Sequence, residues 1–267
     1  MIYRRKIETE FRSCHSLTAD VNELIKESGV KEGICLLQLE DHTTSLGITS
    51  FWDPRGLEDM MDEIDRNFPA RVYLKNQEST FDACGRVKSA VIGSSATLLI
   101  KDGKLILGSS QGLVLIEHDG PRVRSYTVLI KPMEVIMSKH NLKSEFMGMH
   151  DLTGEIREAV KNSKVKDGIC HVSMLHSTAG LVVCDNDDIA LKDVMSDIEK
   201  MVPTRGDFKH RETASDAGGH VKTAFTDSQI SLIIKNGDLL LGKNQGVIFA
   251  EFDGPRPRSY YVGIIAA

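Results

Sequence analysis

The sequence predicts an α+β protein made of two tandem copies of one domain, each a mostly antiparallel β-sandwich or sheet with two helices covering one face. Three observations carry this expectation. The segment His42-Thr43-Thr44-Ser45 returns as His176-Ser177-Thr178-Ala179, and Asp119-Gly120-Pro121-Arg122 returns as Asp253-Gly254-Pro255-Arg256, at one constant spacing. From Val87 to Ile130, about half of the positions are identical to Val221–Ile264. A repeat this long marks duplicated domains, because solenoid units run about 20 to 50 residues. Finally, Asp102-Gly103 and Asn236-Gly237 each separate two apolar runs, which is the signal of a two-residue hairpin turn.

Each copy reads in the same order. Polar-apolar strands come first, around Ile2–Phe11 and Glu134–Met149. A helix follows, with Val21, Leu24 and Ile25, or Ile156, Ala159 and Val160, recurring at helical spacing. An apolar strand, Gly33–Leu39 or Gly168–Met174, then runs into the His-Thr/Ser-Thr segment. A second helix carries Leu57, Met60, Met61, Ile64 and Phe68, matched by Leu191, Val194, Met195, Ile198 and Val202. Asp53-Pro54 supplies its N-cap and first-turn proline. After a polar loop comes the hairpin, then a last pair of strands: Gly112–Glu117 with Val123–Ile130, and Gly246–Glu251 with Arg258–Ile265. The boundary falls at Lys131-Pro132, giving domains 1–131 and 132–267. No Gly/Ser-rich linker intervenes, so the copies should pack directly on one another.

The bulk properties exclude several classes. The chain has 267 residues, enough for two cores, and a formal net charge of −5. Its basic residues are scattered without an aromatic-basic stripe, which argues against nucleic acid. No apolar run approaches the roughly 18 residues of a membrane span. Met1–Lys6 is basic but lacks the apolar stretch of a secretory signal. The five cysteines show no CxxC spacing, and Cys35 and Cys170 are repeat-equivalent within apolar runs. A reduced, cytoplasmic protein with buried core cysteines fits these counts.

The candidate chemistry lies in the second copy. His176 ends a strand, while His210, Glu212, Asp216 and His220 share one loop that feeds a short helical turn. Three neutral imidazoles with a fourth position open suit one divalent ion, Zn²⁺ or Mg²⁺, with carboxylates to orient the rings. The plainer alternative is a satisfied core His176 beside a solvated loop. Comparison of the copies favours the metal reading. His42 keeps the first position, but Asn76 and Arg86 replace His210 and His220, while Glu78 and Asp82 match Glu212 and Asp216. A structural need would act on both copies alike, so the first copy reads as a retired, metal-free site. Asp53 and Asp187 start the second helices, where capping explains them first. In Gly108-x-x-Gln111-Gly112 and Gly242-x-x-Gln245-Gly246 the glycines suit a bend, and the glutamine can face a ligand. The Asp-Gly-Pro-Arg turn does not explain Arg122, Arg124, Arg256 and Arg258, whose guanidinium groups suit phosphate.

With these motifs the chain resembles the YjbQ family of secondary thiamine-phosphate synthase-like proteins, once per half. The resemblance rests on His176-Ser-Thr178-Ala-Gly-Leu, Asp187, the His210…Asp216…His220 loop, Gly242-x-x-Gln245-Gly246 and Phe252-Asp-Gly-Pro-Arg256. It implies a compact α+β sandwich, a homo-oligomer with trimer-like packing of domains, and a metal-capable pocket near a boundary between subunits. It also implies a thiamine-phosphate synthase-like transferase, joining a pyrimidine diphosphate to a thiazole phosphate. On that reading His176, His210 and His220 hold the ion. Glu212, Asp216 and Asp187 are the candidate catalytic carboxylates, and Arg256, Arg258, Gln245 and Thr178 bind the phosphorylated metabolite. Metal-dependent hydrolysis of such a metabolite, and non-enzymatic metal or metabolite binding, remain the competing expectations.

Overall fold

The computed structural model describes residues 1–70, 75 and 82–267. Asn76 and Glu78 lie outside the described residues, as does the side chain of Asp82. The first domain runs β1 (Ile2–Thr9), β2 (Ser13–Ser16), α1 (Thr18–Ser28), β3 (Gly33–Leu39), β4 (Thr44–Thr49), α2 (Pro54–Asn67), α3 (Asp82–Ile92), β5 (Ser95–Lys101), β6 (Lys104–Leu105), β7 (Gly112–Glu117) and β8 (Arg122–Pro132). The second repeats that order as β9 (Ile136–Lys143), β10 (Met149–Asp151), α4 (Thr153–Ser163), β11 (Gly168–Met174), β12 (Ala179–Asp185), α5 (Asp188–Met201), α6 (Asp216–Thr226), β13 (Gln229–Lys235), β14 (Asp238–Leu239), β15 (Gln245–Glu251) and β16 (Pro257–Ala266).

Each domain is two antiparallel sheets. The larger has strand order β1-β8-β3-β5-β6, repeated as β9-β16-β11-β13-β14, and the smaller β2-β7-β4, repeated as β10-β15-β12. The core lies between them. α1 buries Val21, Leu24 and Ile25 against the sheets, and α4 buries Ile156 and Val160 in the same way. Each such aliphatic side chain contributes about 1.5–3 kcal/mol by leaving water. Cys35 and Cys170 are buried in these cores, as small apolar residues. Asp102 and Gly103 both have positive φ, as do Asn236 and Gly237, so both hairpins turn as their residue types require.

The structure corrects two expectations. There are three helices per domain rather than two, because the loop thought to end in a short turn continues into α3 or α6. The last two strands of each domain do not pair with each other. β7 joins the smaller sheet between β2 and β4, whereas β8 joins the larger between β1 and β3. The Asp-Gly-Pro-Arg turn therefore crosses from one sheet to the other.

The domains pack through two apolar cores. Met60, Met61 and Ile64 of α2 meet Val202, Phe208, Ala217 and Val221 of the second domain. Leu99 and Ile106 meet Val135 and Ile265, with Leu175 and Tyr261 alongside. At Gly108 the backbones approach so closely that an added Cβ would stand 1.9 Å from the Leu175 carbonyl oxygen. Gln111 then donates from Nε2 to the His176 carbonyl at 3.0 Å, tying the motif to the next domain. Among the described residues, no helix is long and apolar enough to cross a membrane.

Candidate metal centre

His210, Asp216 and His220 bring one ligand atom each within 4.8 Å of one another, and all three are buried. The helix α6 sets two of them: Asp216 opens it and His220 lies one turn on, so both face the same way. His210 comes from the preceding loop. Its Nδ1 lies 2.5 Å from Asp53 Oδ2, so the ring donates there and Nε2 keeps its lone pair. His220 donates from Nδ1 to the Ser177 carbonyl at 2.9 Å, which leaves its Nε2 equally free to accept. Burial pushes the His220 pKa down, and the Ser177 carbonyl opposes that shift. A neutral imidazole with its lone pair inward is the form that binds a cation.

The orphan atom at this site is His210 Nε2. It is buried without a hydrogen-bond partner, yet it stands 3.1 Å from Asp216 Oδ2. A positive charge between the two atoms, a second ring proton or a cation, would satisfy both, and the donor set fits a divalent cation. Two imidazoles and a carboxylate leave coordination positions open. Asp216 is itself held in place, accepting from the backbone N–H of Glu212 at 2.8 Å and of Ala217 at 2.8 Å.

The first domain completes this centre. Asp53 caps α2 by accepting from the Arg55 backbone N–H at 3.0 Å, and also accepts from the His210 ring N–H. Arg55, then His210, hold the Asp53 carboxyl well below the usual carboxylate range. Asp59 accepts from the backbone N–H of Lys209 at 3.0 Å and of His210 at 2.8 Å. Glu63, also on α2, pairs with Arg205 in the same loop. The capping reading of Asp53 was correct but incomplete. Its repeat-equivalent Asp187 caps α5, accepting from the backbone N–H groups of Ile189 and Ala190. An Asp53→Asn variant is expected to lower metal affinity about 10–100-fold, the usual cost of losing a carboxylate that orients a metal-binding histidine. Titration with a fluorescent chelator checks this, and unchanged affinity would remove Asp53 from the centre.

His176 stands apart from the group. Its Nε2 accepts from the Ser259 backbone N–H at 2.8 Å, so the lone pair expected to hold metal is spent. Burial, then Arg258, push its pKa down to about 4, leaving a neutral ring with its proton on Nδ1. It lines a cavity of about 230 Å³ together with Thr178, Glu212, Asp216, His220 and Arg256, and the first domain adds Ser109 and Ser110. The expected trio of imidazoles is thus a pair plus Asp216.

Three of the four expected phosphate-binding residues, Thr178, Arg256 and Arg258, line this cavity. Arg256 keeps its side chain 44% exposed at the rim, with Nη2 2.8 Å from Asp253 Oδ2. Thr178 lines the wall, its hydroxyl accepting from Arg258 at 3.0 Å. Arg258 is buried and its guanidinium is consumed by Glu251, so it holds the wall rather than a phosphate. Arg124 and Glu117 repeat that buried pair in the first domain. Gln245 and Asp187 line a separate, exposed cleft with Asp151 and Arg157, away from the histidines. In the first domain, His42 and Arg86 line a cleft of about 670 Å³.

Both halves match the family model described as UPF0047 protein YjbQ-like, over residues 4–133 and 138–267. The chain is 40% identical over 139 residues to UPF0047 protein MJ1081 of Methanocaldococcus jannaschii, which covers 52% of this chain and 97% of that protein. It is 30% identical over 115 residues to UPF0047 protein YugU of Bacillus subtilis, covering 43% of this chain and 86% of that one. A solved YjbQ/UPF0047 structure from Clostridium acetobutylicum is 36% identical, covers 48% of this chain and 99% of its own, and superposes with a TM-score of 0.46.

Proposed function

This chain belongs to the YjbQ-like UPF0047 family, and we propose that its second domain is a divalent-metal-dependent enzyme acting on a small phosphorylated metabolite. The observation that carries this is the buried, unpartnered His210 Nε2 beside Asp216, with His220 within reach. A divalent ion held by these three would neutralise charge on phosphate oxygens. Arg256, exposed at the rim beside Asp253, would bind the phosphate, and the neutral His176 would donate a hydrogen bond into the same cavity. Glu212 is exposed at that cavity and is the carboxylate positioned to move a proton.

The finer reading is a thiamine-phosphate synthase-like transfer, in which the thiazole nitrogen displaces diphosphate from the pyrimidine methylene carbon. A second cavity of about 370 Å³ supports it. This cavity is lined by Phe208, Ala214 and Ala217, reaches His210, and shares Thr213 with the first, so a second organic substrate has a seat. Hydrolysis of one phosphorylated metabolite would need only the first cavity. Metal-loaded protein given both substrates, or each alone, separates these readings. Thiamine phosphate formed only with both supports transfer, and phosphate release from one alone supports hydrolysis. Absence of any turnover while the ion is bound would leave a metal-binding protein and remove the enzyme.

A further inference from the structure

The second domain carries an apolar face whose counterpart in the first domain is an interface. Ile34, Leu99 and Ile106 of the first domain pack into the second, where Leu99 is 0% and Ile106 7% exposed. Their repeat-equivalents Ile169, Ile233 and Leu240 are just as apolar, yet stand 41%, 58% and 60% exposed. These three form one patch. Ile169 and Ile233 are cross-strand partners, and the Leu240 N–H donates to the Ile233 carbonyl at 2.8 Å. The patch is continuous with the interface within the chain, since β11 and β13 also contact β5 of the first domain.

Head-to-tail repetition of the internal contact would meet a changed surface. Leu99 sits over Gly263, where an added Cβ would come within 2.6 Å of Leu99 Cδ1. In the first domain Leu129 occupies the position of Gly263, and Thr127 and Lys131 replace Tyr261 and Ile265. Another chain's Ile233 would therefore meet Leu129 and the charge of Lys131 where Leu99 meets the bare backbone of Gly263. A two-fold contact that sets the patch against its own copy covers all three side chains without that seat. Exposed ion pairs, Lys235 with Asp167 at 2.9 Å and Arg157 with Asp238 at 3.0 Å, stand near it and can form a polar rim.

We propose that two copies of this chain pair through the Ile169–Ile233–Leu240 faces of their second domains, in a closed two-fold contact. The contact is independent of the metal centre. Light scattering on the full chain across a concentration series is expected to give twice the 29.5 kDa chain mass. The double variant Ile233→Lys with Leu240→Lys is expected to give the single-chain mass with an unchanged thermal melt. A wild-type chain that stays monomeric at the highest concentration would overturn the proposal. So would a folded double variant that stays dimeric, or a mass that keeps rising with concentration. If the variant misfolds, hydrogen exchange on the wild type decides: concentration-dependent protection at 233–241 supports the pairing, and protection only elsewhere overturns it.

Discussion

His210→Ala is expected to abolish stoichiometric binding of the divalent ion while leaving the chain folded. The substitution removes a ligand whose lone pair is already aimed inward, so its effect should exceed the loss expected for Asp53→Asn, which only disturbs orientation. Stability should fall slightly as well, because Asp53 loses its imidazole partner. His220→Ala should act alike, since that ring is fixed by Ser177 and faces the same point. His42→Ala should leave the ion in place, because its side chain lines a different cleft. His176→Ala divides the two sequence readings of that residue. With Nε2 bound to the Ser259 N–H, its loss should weaken the cavity wall and any turnover, with the ion retained. Metal analysis beside circular dichroism on the four variants checks the pattern. Loss of metal from His176→Ala would restore the three-histidine site.

The largest stability effect is expected at Arg258. Its guanidinium is buried against Glu251, which is 0% exposed and also accepts from Ser144 and from the Asp253 N–H. Arg258→Ala would leave that carboxylate charged and unpaired inside the domain, at a cost of about 3–5 kcal/mol. The mirrored Arg124→Ala should cost a similar amount through Glu117, and would also free Asp41. Chemical denaturation measures both. A loss below about 1 kcal/mol, the range of exposed pairs, would show that the buried pair does not hold the turn. The same measurement tests the corrected role of this arginine, because a residue kept for phosphate alone should be neutral or stabilising to remove.

What was legible in the sequence follows from what each pattern encodes. The Asp-Gly and Asn-Gly turns and the α1 and α4 stripes reflect local requirements, and they appear where expected. The helix α6 was illegible because Asp216–Ala224 is buried on every side and contains Gly218-Gly219, so no amphipathic period marks it. β4 was hidden likewise, since Thr44–Thr49 is buried throughout and shows no alternation. At the site, the asymmetry of His210 and His220 between the halves singled out the two rings that the structure brings together beside Asp216. The retention of His42 beside His176 carried the opposite message, that this position serves the fold, as the Ser259 contact shows. Asp53 could not be told from Asp187 by sequence, because both fully satisfy a helix cap. Only the packing of α2 on the second domain reveals its second partner.

The most direct test of the metal centre is elemental analysis of the chain purified without a histidine tag and without added ions, then again after dialysis against Zn²⁺ or Mn²⁺. About one divalent ion per chain, lost in the His210→Ala and His220→Ala variants, is the predicted result. A wild-type chain that holds no ion after dialysis, or variants that keep theirs, would contradict it.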